Sequence, residues 1–298
     1  MDLQAIRAFI SVARCGSFST AAEQLYITQP AVSKRIASLE KQIGAKLFDR
    51  LGHQIILTAS GEALMPHATQ MLNALEDGRR AIEQLSNEVS GTLKVSASHH
   101  VGLHYLPPIL KRFINAYSEV DLNLDFIDSE QAWKETLQGS RELAIVTLPT
   151  GPIDNLHCIP IWHDPLTPML AADHTLDVRQ PVSLTTLSQI PAILPAHGTM
   201  TRAIIDQALK HKTEQVKNPE LSTHFLETIK MMVSVGLGWS ILPESMLDHS
   251  IQRFEIRGMK SAVRHLGIVH HSDRTLSKAA TALIELISDN GKMQQGQG

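Results

Sequence analysis

Between Leu3 and Gly44 the chain-breaking residues cut the chain into three helical stretches, the middle one short. Leu3, Ile6, Phe9, Ile10 and Ala13 recur at helical spacing, and Gly16 is a natural C-terminal stop. Ser17-Phe18-Ser19-Thr20 leads into Ala21-Ala22-Glu23, where Thr20 and Glu23 have the spacing of a capping box. The second helix is short, because Tyr26-Ile27-Thr28 interrupts it ahead of Gln29-Pro30. Thr28 is placed to cap a third helix, with Pro30 in its first turn, where a missing N–H costs nothing. That helix runs through Ala31, Val32, Ile36, Leu39 and Ile43 and ends at Gly44. Helix, short helix, tight turn and longer helix make a helix-turn-helix.

The third helix separates its faces. Val32, Ile36, Leu39 and Ile43 point inward, while Gln29, Ser33, Lys34 and Arg35 stay outside near the N-terminal end. Such motifs insert that end into the major groove, where Gln and Ser read base edges and Lys and Arg reach guanine or phosphate. Lys46–Arg50 and Ile55–Thr58 flank Leu51-Gly52-His53-Gln54 as a two-stranded wing, which places Arg50 and His53 against the DNA backbone. The alternative is a small helical bundle with a solvated polar face. Charge weighs toward nucleic acid: residues 1–58 hold seven lysines and arginines against four carboxylates, a net of +3 in a chain of net −3, so the remainder is −6. A basic head on an acidic body is expected when one module meets phosphate and the other does not.

The residues Phe18-Ser19-Thr20-Ala21-Ala22-Glu23-Gln24-Leu25, Thr28 to Ile36, Leu39-Glu40, Gly44, Leu47 to Arg50 and Leu57-Thr58-Ala59-Ser60-Gly61 resemble the N-terminal domain of LysR-type transcriptional regulators, in continuous order across 1–61. The resemblance implies DNA contacts at Thr28, Gln29, Pro30, Ser33, Lys34, Arg35, Arg50 and His53. His53 stands where the family often carries arginine, which weakens one phosphate contact and makes it pH-dependent.

Residues 59–90 repeat apolar positions at Leu64, Ala68, Met71, Leu72, Leu75, Ile82, Leu85 and Val89, with Pro66 as the one proline and Gly91 as a stop. They predict one long helix capped by Thr58 or Ser60. Its apolar stripe packs either on its own chain or on a second copy. The resemblance implies the latter, a dimerisation helix presenting two recognition helices to an interrupted palindrome near a promoter, in a homodimer or homotetramer.

From Gly91 the period alternates between strand and helix, which predicts an α/β body with a parallel sheet and helices on both faces. Strands are expected at Thr92–Ser98, Leu122–Phe126, Leu143–Val146, Leu166–Leu170 and Ala192–Leu194. Helices are expected through Leu106–Phe113, Trp133–Leu137, Arg202–Lys210 and Leu226–Val235. The order, and the phrase Val233-Ser234-Val235-Gly236-Leu237-Gly238 to Leu242-Pro243 above all, resembles the effector-binding part of the same family, whose two α/β subdomains fold like periplasmic binding proteins. The implied domains are a winged helix-turn-helix at 1–58, a linker helix at 59–90 and an effector-binding domain at 91–290. Subdomain I covers about 91–161 and 266–290, subdomain II about 162–265, and a disordered tail occupies 291–298.

In open α/β sheets ligands sit beyond the carboxyl ends of strands, at helix N-termini. Ser98-His99-His100, Thr147, His197-Gly198-Thr199 and His224-Phe225 occupy such places. Ser98, His99, His100, Thr147, His197, Thr199, His224 and Phe225 are therefore the candidate effector contacts, for a small anionic metabolite that alters DNA bending and promoter activity. Alternatively, Ser98 and Thr199 merely cap helices and the histidines are solvated.

Fifteen histidines raise the question of a metal. His100 and His104 have i, i+4 spacing, but no cysteine or carboxylate is spaced in sequence to complete the set, so no metal and no cofactor are expected. Cys15 and Cys158 are too few and too distant for a disulfide framework. Redox sensing at one of them is the alternative to a metabolite. Catalytic residues are not expected, because nucleophile elbows, phosphate-cradling lysine loops and zinc-protease helices are all missing from the sequence. The uncharged stretch Gln180–Thr201 is interrupted by Pro181, Pro191 and Pro195, and the N-terminus does not read as a signal peptide. A cytoplasmic protein away from membranes is expected, with double-stranded DNA, a small effector and RNA polymerase as partners.

Overall fold

The computed structural model describes residues 2–51, 54–83, 88–210 and 223–295. It divides into two compact units, residues 1–86 and 87–298.

In the first unit, α1 (Leu3–Cys15), α2 (Phe18–Gln24) and α3 (Gln29–Ile43) precede a hairpin of β1 (Phe48–Leu51) and β2 (Gln54–Leu57) and the long α4 (Ala59–Glu83). Gly16 and Gly44 end α1 and α3 in the left-handed conformation, at φ 61° and 78°. The caps differ from expectation. Ser17, not Thr20, caps α2, its Oγ accepting from the Thr20 N–H at 3.3 Å. With α1 ending at Gly16, Ser17 is the extended residue left to turn the chain, and α2 then starts at Phe18, whose ring packs on Phe48 at 5.8 Å. Thr28 is the N-cap of α3 but makes no side-chain cap bond. Pro30 has no N–H at the second helical position, and the Ala31 and Val32 N–H groups already donate to the Thr28 carbonyl.

Ile6, Phe9, Val12, Val32, Leu39 and Leu47 form the centre of this unit's core. Glu40 is buried beside them, accepting from Leu47 N at 2.9 Å and Lys46 Nζ at 2.8 Å, and so pins the entry to the hairpin. Burial pushes its carboxyl up, but the hydrogen bonds from Lys46 and Leu47 outweigh it and hold the group below its ordinary 4.5. A lowered folded pKa contributes stability above the unfolded value that is lost as pH falls through the folded one. Glu40→Gln is therefore expected to cost about 1–2 kcal/mol at pH 7. The deficit should shrink below about pH 4.5, as urea titrations across that window would show.

The N-terminal half of α4 covers the same core with Leu64, Met65, Ala68 and Leu72. Its remainder leaves Met71, Leu75 and Ile82 exposed. Leu85 of the predicted stripe lies outside the described residues.

In the second unit a seven-stranded sheet has the order β4-β3-β5-β9-β6-β7, with β8 also paired to β6. Its strands are β3 (Gly91–Ala97), β4 (Val120–Phe126), β5 (Leu143–Thr147), β6 (Leu156–Ala171), β7 (Ser240–Pro243), β8 (Ile251–Arg253) and β9 (Ala262–His271). The parallel sheet expected from the alternation holds only for β3 with β4 and β5; β9 is antiparallel to β5 and β6, and β7 and β8 to β6. β9, which comes late in the chain, inserts between β5 and β6 and runs against both, a long-range placement that local strand–helix alternation does not encode. The expected strand Ala192–Leu194 is a single bridge, Ala192 to Trp239.

The helix expected around Leu106 is two, α5 (His99–His104) and α6 (Pro107–Ala116). Neither Pro107 nor Pro108 can donate to a continuing helix, so the chain restarts there. The other helices are α7 (Ser129–Leu137), α8 (Leu184–Leu187), α9 (Met200–Ala208), α10 (Leu226–Ser234) and α11 (Lys278–Gln295). Residues 291–295 of the expected disordered tail belong to α11. One core gathers Leu93, Val95, Phe113, Ile145, Ile268 and Leu283; others gather Leu187, Ile205, Trp239 and Ile241, and Ile193, Ile229 and Val233. The long strands β6 and β9 run past the first two.

Candidate DNA-reading helix and effector cleft

On α3, burying Val32, Ile36 and Leu39 leaves Thr28, Gln29, Pro30 and Lys34 exposed and Ser33 and Arg35 half-buried. Gln29 Nε2 donates to Ser33 Oγ at 2.9 Å, so the two polar groups expected to read bases are held together one turn apart. Arg35 turns aside and donates to Gln4 Oε1 at 3.4 Å. Arg50 lies on β1 in register with Ile55. His53, the other wing position, lies outside the described residues.

The second unit holds a cleft of ≈ 470 Å³, the open solvent at its mouth included. Four helices, α5, α7, α9 and α10, begin at its rim, which is why residues from four distant segments meet there. Of the eight predicted effector positions, Ser98, His99, His100, Thr147, Thr199 and His224 line it. His197 is exposed outside the lining, carried outward by the turn at Gly198. Phe225 is also outside the lining, and its ring meets His99 edge-on at 4.5 Å. The Thr199 hydroxyl is engaged in capping α9, accepting from Arg202 N at 3.2 Å and donating to the Ala196 carbonyl. Ser98, at the N-cap of α5, makes no such bond.

Sequence reasoning missed the charged part of the lining. Glu130 reaches the start of α9 and accepts from Met200 N at 2.6 Å. A protein carboxylate thus already sits on the helix end where an anion was expected. Asp128 faces His224 Nδ1 at 3.5 Å. Arg264 and Asp164, opposite one another on β9 and β6, form a fully buried pair. Arg264 also donates to Thr201 Oγ1 at 3.1 Å, and Tyr105 donates to Asp164 Oδ1 at 3.2 Å. Burial, with the Asp164 charge, pushes the Tyr105 hydroxyl up to about 12.

His100 is buried between these groups and Glu227, its Nδ1 3.4 Å from Glu227 Oε1 and its Nε2 3.6 Å from Asp164 Oδ2. Burial holds its imidazole below the ordinary value. His104 Nε2 also faces Glu227 Oε1 at 3.4 Å. The expectation that no carboxylate completes a set around this histidine pair is thus corrected: Glu227, remote in sequence, is brought beside both by the start of α10. A local spacing rule could not find it.

Residues 3–62 match the family model described as bacterial regulatory helix-turn-helix protein, lysR family, and residues 86–292 match the LysR substrate binding domain. An HTH-type transcriptional regulator from the ibpB-leuC intergenic region of Azotobacter vinelandii is 57% identical over 108 residues, covering 36% of this chain and 75% of its own length. The HTH-type transcriptional regulator YwqM of Bacillus subtilis is 30% identical over 290 residues, 96% of this chain and 98% of that one. Among solved structures, a full-length OxyR variant from Pseudomonas aeruginosa superposes with a TM-score of 0.71 at 22% identity, covering 98% of this chain and 95% of that one, a likeness of fold.

Proposed function

The chain belongs to the LysR family of transcriptional regulators, and from that premise we propose that α3 reads an interrupted palindrome near a promoter while the second unit's cleft takes a small effector that alters DNA bending. The observation that carries the reading is the division of α3, whose apolar side is spent on the core while Gln29, Ser33 and Lys34 stay outward at its N-terminal end. Double-stranded DNA is the partner, with RNA polymerase as a further one at the promoter. Binding and regulation, not catalysis, in the cytoplasm is the role this supports. Among the described residues no helix is long and apolar enough to cross a membrane.

Base contacts specify and phosphate contacts mainly position. Gln29→Ala and Ser33→Ala are each expected to cost about 1–3 kcal/mol on specific DNA and little on random DNA. Lys34→Ala should weaken both and flatten the salt dependence. Fluorescence anisotropy at several salt concentrations distinguishes the two patterns. Equal losses on specific and random DNA for all three would remove α3 as the reading helix.

For the effector, the Glu130 carboxylate on Met200 N supports an anionic group, because that N–H already accommodates one. An anionic ligand must displace Glu130, so Glu130→Ala should bind small carboxylates about tenfold more tightly than the unsubstituted chain. Thermal unfolding against carboxylates, phosphates and sulfonates reads this directly. Unchanged or weaker binding by the variant would place the anion elsewhere. The alternative, redox sensing, draws no support from Cys158, whose thiol burial pushes up toward its unreactive protonated form.

A further inference from the structure

We propose that His100, His104 and Glu227 form a site for a zinc-class divalent cation that bridges the two sides of the cleft. His100 and His104 lie one turn apart on α5, and Glu227 enters from the first turn of α10. One ligand atom from each lies within 4.8 Å of the others. Both facing distances to Glu227 Oε1 are 3.4 Å. Two donors bound about 2.1 Å from a tetrahedral ion stand roughly 3.4 Å apart, so this spacing already suits a shared metal.

A second observation points the same way. His100 is 4% exposed, yet its Nδ1 and Nε2, like Glu227 Oε1, are buried without a hydrogen-bond partner. Buried polar atoms are rarely left so, and three at one place need a common explanation. A cation between His100 Nδ1, His104 Nε2 and Glu227 Oε1 supplies it for two of them, Nδ1 and Oε1. His100 Nε2 lies 3.6 Å from Asp164 Oδ2, so a small turn of the ring on metal binding would complete the carboxylate–histidine–metal arrangement that orients a ligating imidazole. The nearby Arg264 charge is compensated by Asp164. Two imidazole nitrogens and one carboxylate oxygen favour zinc, cobalt or nickel over calcium or magnesium, and leave a fourth position for water or an incoming donor.

α5 packs through Val101 into the core with Leu93 and Phe113, whereas α10 packs through Ile229 and Val233 into the core with Ile193. An ion held by both helices therefore ties one side of the cleft to the other, and its arrival is a signal the domain can transmit. The site is independent of how α3 reads DNA.

The test is calorimetric titration of the full, tag-free chain with Zn²⁺ alone, and with Co²⁺ as a visible-absorption probe. One ion per chain is expected, with Co²⁺ bands of low-coordinate nitrogen and oxygen ligation. Zn²⁺ is expected to raise the Tm of the unsubstituted chain by several degrees, and His104→Ala and Glu227→Gln, both at partly exposed positions, should each weaken binding at least tenfold and abolish that rise. Metal-free melting of the variants separates loss of the site from loss of the fold. His270→Ala, at the separate His157–His270 pair, should leave affinity unchanged. Absence of uptake at 100 μM Zn²⁺, or uptake that His104→Ala and Glu227→Gln leave intact, overturns the site.

Discussion

Arg264→Met is expected to destabilise the second unit by about 3–5 kcal/mol, because it leaves Asp164 charged and buried without its cationic partner. Arg264 and Asp164 are 2% and 1% exposed, so solvent cannot take over the role of the missing partner. Two of the three Arg264 hydrogen bonds go to Asp164, and Tyr105 and His100 also crowd that carboxylate. Replacing both charges, as in Asp164→Leu with Arg264→Met, should recover much of the loss, since a buried pair contributes little net stability over packed apolar groups. Urea denaturation of the two single variants and the double one gives the coupling directly. Losses that simply add would show that the pair is not a unit.

The second large effect concerns α4. Met71, Leu75 and Ile82 share one helix face, and their exposures of 44%, 45% and 71% leave an apolar stripe beyond the part of α4 that covers its own core. Such a stripe is unfavourable in water unless something covers it. A second copy of the chain is the occupant the LysR family reading supplies. Leu75→Glu with Ile82→Glu is expected to yield monomers by light scattering. Without two linked reading helices, affinity for a palindrome should fall by about 10²–10⁴-fold. An unchanged oligomer with unchanged affinity would place the pairing surface elsewhere on the chain.

How much was legible in the sequence follows the range of the interactions. Helices α1 to α3 were readable because Gly16, Gly44 and the Val32, Ile36, Leu39 spacing are local signals. The α2 cap was misplaced because Thr20 has the right chemistry, while the choice falls to where α1 ends; Thr28 is the α3 N-cap as expected, but its side chain makes no cap bond because Pro30 lacks an N–H. Only the last part of β6 was foreseen. Pro160 and Pro165 speak against a strand, yet β6 carries both, with a register shift just after Pro160 and with Pro165 in regular register with Val263.

The cleft shows the same division. Ser98, Thr147 and Thr199 were found from the rule that strand ends and helix starts face a ligand. Glu130, Glu227 and the Asp164–Arg264 pair were not, since each meets its partner only through strand register or packing between distant elements. His197 and Phe225 follow the same positional rule, but the backbone turns them away from the lining.

The most direct test of a palindrome-reading regulator is selection of bound duplexes from a randomised pool by the full-length chain, repeated with Ser33→Ala. An inverted repeat should be enriched, its half-site centres separated by whole turns of about 10 base pairs. The substitution should relax one symmetric pair of positions within it. Enrichment of a single asymmetric site, or a selected sequence that Ser33→Ala leaves unaltered, would contradict both the paired architecture and the assignment of α3 as its reader.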